Sequence, residues 1–101
     1  MSETLTKYGT SFQSKILALL LNNTEFIQTI SDILTPPMFD SDANKWLVNT
    51  IIQYYYKYKK QPTLEVLKVM IGELDNDVLK VSVVDKLREV WKHNEATDLE
   101  F

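Results

Sequence analysis

Apolar positions recur along this chain at intervals of three and four residues, and each run ends at a recognisable stop. Phe12, Ile16, Leu19 and Leu20 share one face at helical spacing, Leu17 and Leu21 widen it, and Ser11 is placed to cap it. This predicts a first helix over about 11–22. Residues 1–10 carry no apolar period and read as a flexible leader ahead of it. Asn23 or Thr24 can cap a second helix, about 24–34, whose stripe is Phe26, Ile30, Ile33 and Leu34. Pro36-Pro37 stops it, because a residue that precedes proline is pushed out of the helical region. Asp40, Ser41 and Asp42 are good capping residues, and nothing after them breaks a helix until Gln61-Pro62. A third helix over about 42–60 would be about 28 Å long.

Thr63 is placed to cap a short fourth helix, with Leu64, Leu67, Met70 and Ile71 buried and Gly72 at its end. Asp75 to Asp77 then cap a fifth helix, to about His93, with a stripe of Leu79, Val83, Leu87, Val90 and Trp91 beside Val84. Val81-Ser82-Val83-Val84 is β-branched enough for a strand, but it has no partner strand and continues the helical spacing on both sides. It reads as helix. Thr97-Asp98-Leu99-Glu100 has the Thr and Glu of a capping box, which opens helices. The expected organisation is an all-α, compact bundle of about five helices over 11–96, with a linker helix starting at 97–101 as in the amino-terminal part of a longer protein.

Composition agrees with one folded domain: 101 residues, 45% apolar and 25% charged. No apolar run approaches the ~20 residues that span a bilayer, and the amino terminus lacks the layout of a secretory signal. Asn22-Asn23-Thr24 matches a glycosylation acceptor, which carries no weight in a chain read as cytoplasmic. The absence of cysteine removes thiolate nucleophiles and Cys-based zinc sites.

The net charge of −3 argues against nonspecific phosphate binding, although the charges are unevenly spread. Lys45 to Lys68 holds five bases and one acid, whereas Glu73 to Phe101 holds eight acids and four bases. The molecule is expected to be electrically two-sided.

Few residues can carry chemistry. His93 is the single histidine, so no His-rich metal site is possible, and a cation near a helix C-terminus is its simpler reading. Two glycines are too few for a Walker-type or dinucleotide-type phosphate cradle. Asp40 with Asp42, and Asp75 with Asp77, lack the ligand ladder and closing Glu of a calcium loop and read as helix caps. No catalytic, metal or cofactor residue is assigned to this stretch of chain.

The tyrosine run is the most conspicuous feature. At 100° per residue Leu47, Ile51, Tyr54 and Tyr58 fall together, with Val48 and Tyr55 at their flank, and are expected to form core wall. Trp46 and Tyr56 fall away from that centre near Lys57, Lys59 and Lys60. These five are the candidate interaction residues. Outward aromatics beside bases could anchor a protein partner, stack nucleobases, or pack against the termini.

In order and spacing the sequence resembles the N-terminal domain of a DnaB-type replicative DNA helicase, most of all the version in T-even-type bacteriophages. The resemblance runs from about Phe12 to Met70. It rests on ILALLLNN, the Phe26 segment, Met38-Phe39-Asp40-Ser41 opening the long helix, its end at Tyr58, and Pro62-Thr63-Leu64 starting a short helix through Leu67 and Val69. It implies a helical collar domain joined by a linker to a RecA-like ATPase, which would bind ATP and Mg and hexamerise on single-stranded DNA in the cytoplasm of the host cell. The implied roles of the collar are self-association within the hexamer and contacts to primase or a helicase loader, with direct DNA binding weak or absent. The tyrosine-rich stretch departs from the bacterial pattern, so no specific primase contact is carried over. The contrasting expectation is a free-standing phage helical adaptor or nucleic-acid-binding regulator using the Lys57–Lys60 end of helix three.

Overall fold

The computed structural model describes residues 9–99, with side chains described for Gly9 and for 11–92. Five α-helices follow one another: α1 (Thr10–Asn22), α2 (Thr24–Ile30), α3 (Asp42–Tyr58), α4 (Leu64–Gly72) and α5 (Asp77–Leu99), with a 3-10 turn at Pro36–Met38 before α3. No strand occurs among the described residues, and the all-α bundle is as expected. None of the described helices is long and apolar enough to cross a membrane.

Capping sets most of the boundaries. The side chains of Asn23, Ser41 and Thr63 accept from the backbone N–H groups of Phe26, Asn44 and Val66, three residues on in each case. Within the expected Asp75–Asp77 cluster the capping residue is Asn76, whose Oδ1 accepts from the Leu79 N–H at 3.0 Å. At α1 the cap is Gly9, at φ 88°, and no side-chain bond closes it; Ser11 already lies inside the helix.

Other boundaries differ from expectation for physical reasons. α2 stops at Ile30, one hydrogen-bonded turn carries the chain to Leu34, and Thr35 ahead of Pro36 is extended at φ −130°, ψ 152°. Ile33, expected in the stripe, is therefore exposed. α3 ends at Tyr58 rather than Lys60, because Lys59 turns into the left-handed region (φ 63°) and its N–H closes on the Tyr55 carbonyl at 2.7 Å. α5 continues past His93 to Leu99. The backbone at Thr97 is thus helical rather than in the non-helical conformation of an N-cap, and the boundary drawn at 96/97 falls inside α5. The side chains of His93 and Thr97, the leader up to Tyr8, and Glu100 and Phe101 lie outside the described residues.

α5 packs along α1 and α3, α1 also meets α2 and α3, and α4 meets α5. The shared core includes Leu17, Ile27, Leu47, Ile51, Leu67 and Val83, each at most 1% exposed. Of the stripes expected for α4 and α5, Leu67, Ile71, Val83, Leu87 and Val90 are buried, whereas Leu64, Met70, Leu79, Val84 and Trp91 are half-buried. α1 is rotated from expectation: Phe12 and Leu19 reach solvent, while Gln13 and Ser14 are fully buried. Phe39, between the 3-10 turn and α3, is a further core residue at 2% exposure.

The rotation of α1 serves a polar clasp. Gln13 Oε1 accepts from the Asp40 N–H at 3.1 Å and from Asn44 Nδ2 at 2.9 Å, and Gln13 Nε2 donates to Asp40 Oδ2 at 3.0 Å. One α1 side chain thereby fixes the entry to α3 and satisfies backbone and side-chain groups that burial would otherwise leave costly. Ser14 Oγ donates to Glu89 Oε2 at 2.5 Å, which ties the same helix to α5.

Candidate interaction grooves

In the last turns of α3 only part of the surface stays on the core, where Tyr55 packs. Tyr56, Lys57, Tyr58, Lys59 and Lys60 are all exposed, and Tyr54 is half-buried. The expectation that Tyr54 and Tyr58 form core wall fails here. The buried face of α3 is centred on Ala43, Asn44, Leu47, Val48, Ile51 and Ile52; Tyr55 packs against the core beyond them, while Tyr54 and Tyr58 face the groove toward the end of α4. Tyr54 and Tyr58 stack on each other instead, with ring centroids 4.5 Å apart and planes 44° apart. Such tilted pairing suits the ring quadrupoles. Lys57 Nζ lies 5.3 Å from the Tyr58 ring centroid, within cation–π range.

This pair forms one side of a groove of about 490 Å³ between α3 and α4. Trp46 lies at its inner end, half-buried against the core, and Met70, Glu73 and Leu74 supply the opposite side. Of the five candidate residues, the groove brings together Trp46 and Lys57. Tyr54 and Tyr58 were missed as groove residues, because a stripe count assigns a face but not how closely the neighbouring helix packs on it.

Tyr56 is engaged elsewhere. Its hydroxyl proton is shared between Asp32 Oδ1 at 2.9 Å and the Ser31 carbonyl at 3.1 Å, in the turn after α2. The hydrogen bond to Asp32 raises the Tyr56 pKa above its ordinary 10.0, since losing the proton would set a phenolate beside a carboxylate. Tyr56 thus braces α3 against the α2 turn. Lys59 closes the helix backbone, and Lys60 extends from the exposed end with it.

A second, larger groove lies between α4 and α5, about 670 Å³, and none of the five candidates lines it. Among the described residues no cluster of three or more His, Asp or Glu groups could hold a metal ion. No protein family, curated protein or solved structure matches the chain.

Proposed function

We propose that this chain is a noncatalytic docking domain, the N-terminal collar domain of a phage replicative DNA helicase, which contributes self-association and primase contacts in DNA replication. The resemblance over Phe12–Met70 supplies the family. The observation that carries the docking role is the groove between α3 and α4, where three aromatic rings line an open depression on a domain whose core is already closed. Aromatic side chains in such depressions are the usual anchors of protein interfaces. ATP, Mg and unwinding belong, on this reading, to a RecA-like domain elsewhere in the parent protein.

The reading expects a GxxxxGK[ST] phosphate loop in the encoded protein downstream of Phe101. In that parent, Trp46→Ala should lower primase stimulation by about tenfold or more while DNA-dependent ATP hydrolysis persists. Unchanged primase coupling and unchanged hexamer assembly would remove the α3/α4 groove from the proposal.

One observation favours the nucleic-acid-binding alternative: Lys57, Lys59 and Lys60 project from the same end of α3 as the stacked Tyr54–Tyr58 pair. Bases could stack on the rings while the cations meet phosphates. The net charge of −3 opposes it. A salt-dependent mobility shift with single-stranded DNA, abolished by Tyr58→Ala, would establish it over the docking reading.

A further inference from the structure

The groove between α4 and α5 has an apolar floor of Leu64, Ile71, Val84, Leu87 and Trp91. Four cations line it, Lys68 from α4 and Lys80, Arg88 and Lys92 from α5, and no carboxylate among the described residues does. That is unexpected in a chain of net charge −3, and more so along a segment in which acids outnumber bases two to one. Helical periodicity produces the segregation. Positions 80, 84, 88 and 92 repeat every fourth residue and lie in one row, whereas Asp85 and Glu89, with Lys86, line a different depression beside Asp40 and Asn44. Lys86, the remaining base of α5, is paired with Glu89 at 3.4 Å, and Arg88 itself lies 4.0 Å from Asp85, an exposed pair of little strength that leaves its guanidinium open to the groove.

We propose that this groove docks an acidic amphipathic helix of a partner protein, its apolar stripe on Val84, Leu87 and Trp91 and its carboxylates on both flanks. The row from position 80 to 92 extends about 18 Å, the length of about three helical turns, so apolar residues at i, i+3 or i+4, and i+7 can reach the floor in succession. Cations stand on both walls, and those of α5 span the row from Lys80 to Lys92. An anionic lipid, with one head group at one end, would use a single point of that row. A second copy of the chain pairing groove to groove would set four cations against four others. Spread carboxylates flanking an apolar stripe satisfy floor and rim together.

The proposal rests on the docking reading alone and not on the identity of the parent. Its test uses the 101-residue chain and a fluorescein-labelled synthetic helix of about 18 residues with a leucine stripe and glutamates on both flanks, beside a control in which every glutamate is lysine. Fluorescence anisotropy should show the acidic peptide binding about tenfold or more tightly than the basic one, with the difference shrinking as salt is raised. The double variant Arg88→Glu/Lys92→Glu, checked for helicity by circular dichroism, should abolish or reverse the preference.

Equal binding of the two peptides, or a preference untouched by the charge reversal, overturns the proposal. So does concentration-dependent dimerisation through this face in sedimentation, or displacement of the acidic peptide by a single-headed anionic amphiphile at matched concentration. Failure here leaves the α3/α4 groove and its Trp46 test intact, and failure there leaves this one intact.

Discussion

Replacing Gln13 by methionine tests whether the polar clasp, rather than the volume of the side chain, holds α1 to the entry of α3. Methionine nearly preserves size and helix propensity, so overpacking and cavity terms stay small. Three hydrogen bonds are lost, two to Asp40 and one to Asn44. Asp40 is exposed, and water can replace its bonds. Asn44 is 1% exposed, its Oδ1 already has no hydrogen-bond partner, and its amide would lose the acceptor it has. A buried polar group left unpaired costs about 1–3 kcal/mol, so Gln13→Met should destabilise by about 2 kcal/mol. For a domain of this size that is a fall in Tm of roughly 10 °C.

Replacing both partners is the sharper measurement. Exchanging both members of a buried hydrogen bond for apolar groups of similar shape is nearly neutral. Gln13→Met/Asn44→Leu should therefore recover about 1 kcal/mol or more relative to the sum of the single variants. Urea unfolding at constant m-value measures all three. A single variant within about 0.5 kcal/mol of the parent, or a double variant showing simple additivity, would refute the reasoning.

Two further outcomes follow from local geometry. Lys59 holds φ 63° at the end of α3, a conformation that is unfavourable for a residue with a Cβ but open to glycine, so Lys59→Gly should stabilise by about 0.5–1 kcal/mol in urea unfolding. A loss of stability would mean that the Lys59 side chain contributes more than its backbone strain costs. Tyr56 has a pKa raised in the folded state, so it holds its proton more tightly folded than unfolded. Its contribution is whole below its ordinary pKa of 10.0 and fades as pH rises through the higher folded value. The urea-midpoint gap between the parent and Tyr56→Phe should be constant from neutral pH to about 9 and close above 10, and a gap that widens in alkali would contradict the Asp32 hydrogen bond.

Where one helix face meets one neighbour, periodicity was sufficient. The centres of the α4 and α5 stripes, Leu67, Ile71, Val83, Leu87 and Val90, are buried as spacing implies, and Asn23, Ser41 and Thr63 cap as their residue types suggest. α1 was less legible because it buries two polar residues. A hydrophobicity count moves the face toward Phe12 and Leu19, whereas the Gln13 clasp fixes it elsewhere. The tyrosine end of α3 failed for a different reason: Tyr54 and Tyr58 meet the end of α4 across an open groove rather than in close packing, and spacing cannot tell a groove from a packed contact. Charge counted along the chain left its distribution over the helix faces unread, because linear blocks of sign say little about helix faces. Of the four bases from Glu73 on, Lys80, Arg88 and Lys92 line one groove. A fourfold row at positions 80, 84, 88 and 92 was the available signal.

α4 decides how the two grooves can be studied. Met70, Glu73 and Leu74, at and just beyond its end, face the aromatic groove, while Leu64, Lys68, Ile71 and Gly72 face the cationic one. Seven residues of α4 and the turn after it thus wall two surfaces, anchored by the burial of Leu67 and Ile71. A substitution that moves α4 must disturb both, so a loss of binding in Ile71→Ala would assign nothing to either groove. The informative side chains are those on the outer walls. Trp46, Tyr54 and Lys57 line the aromatic groove alone, and Val84, Arg88 and Lys92 line the cationic groove alone. Effects of these two sets should add if the grooves act independently, and a departure from additivity would mean coupling through α4, the wall they share, or through the direct packing of α3 on α5.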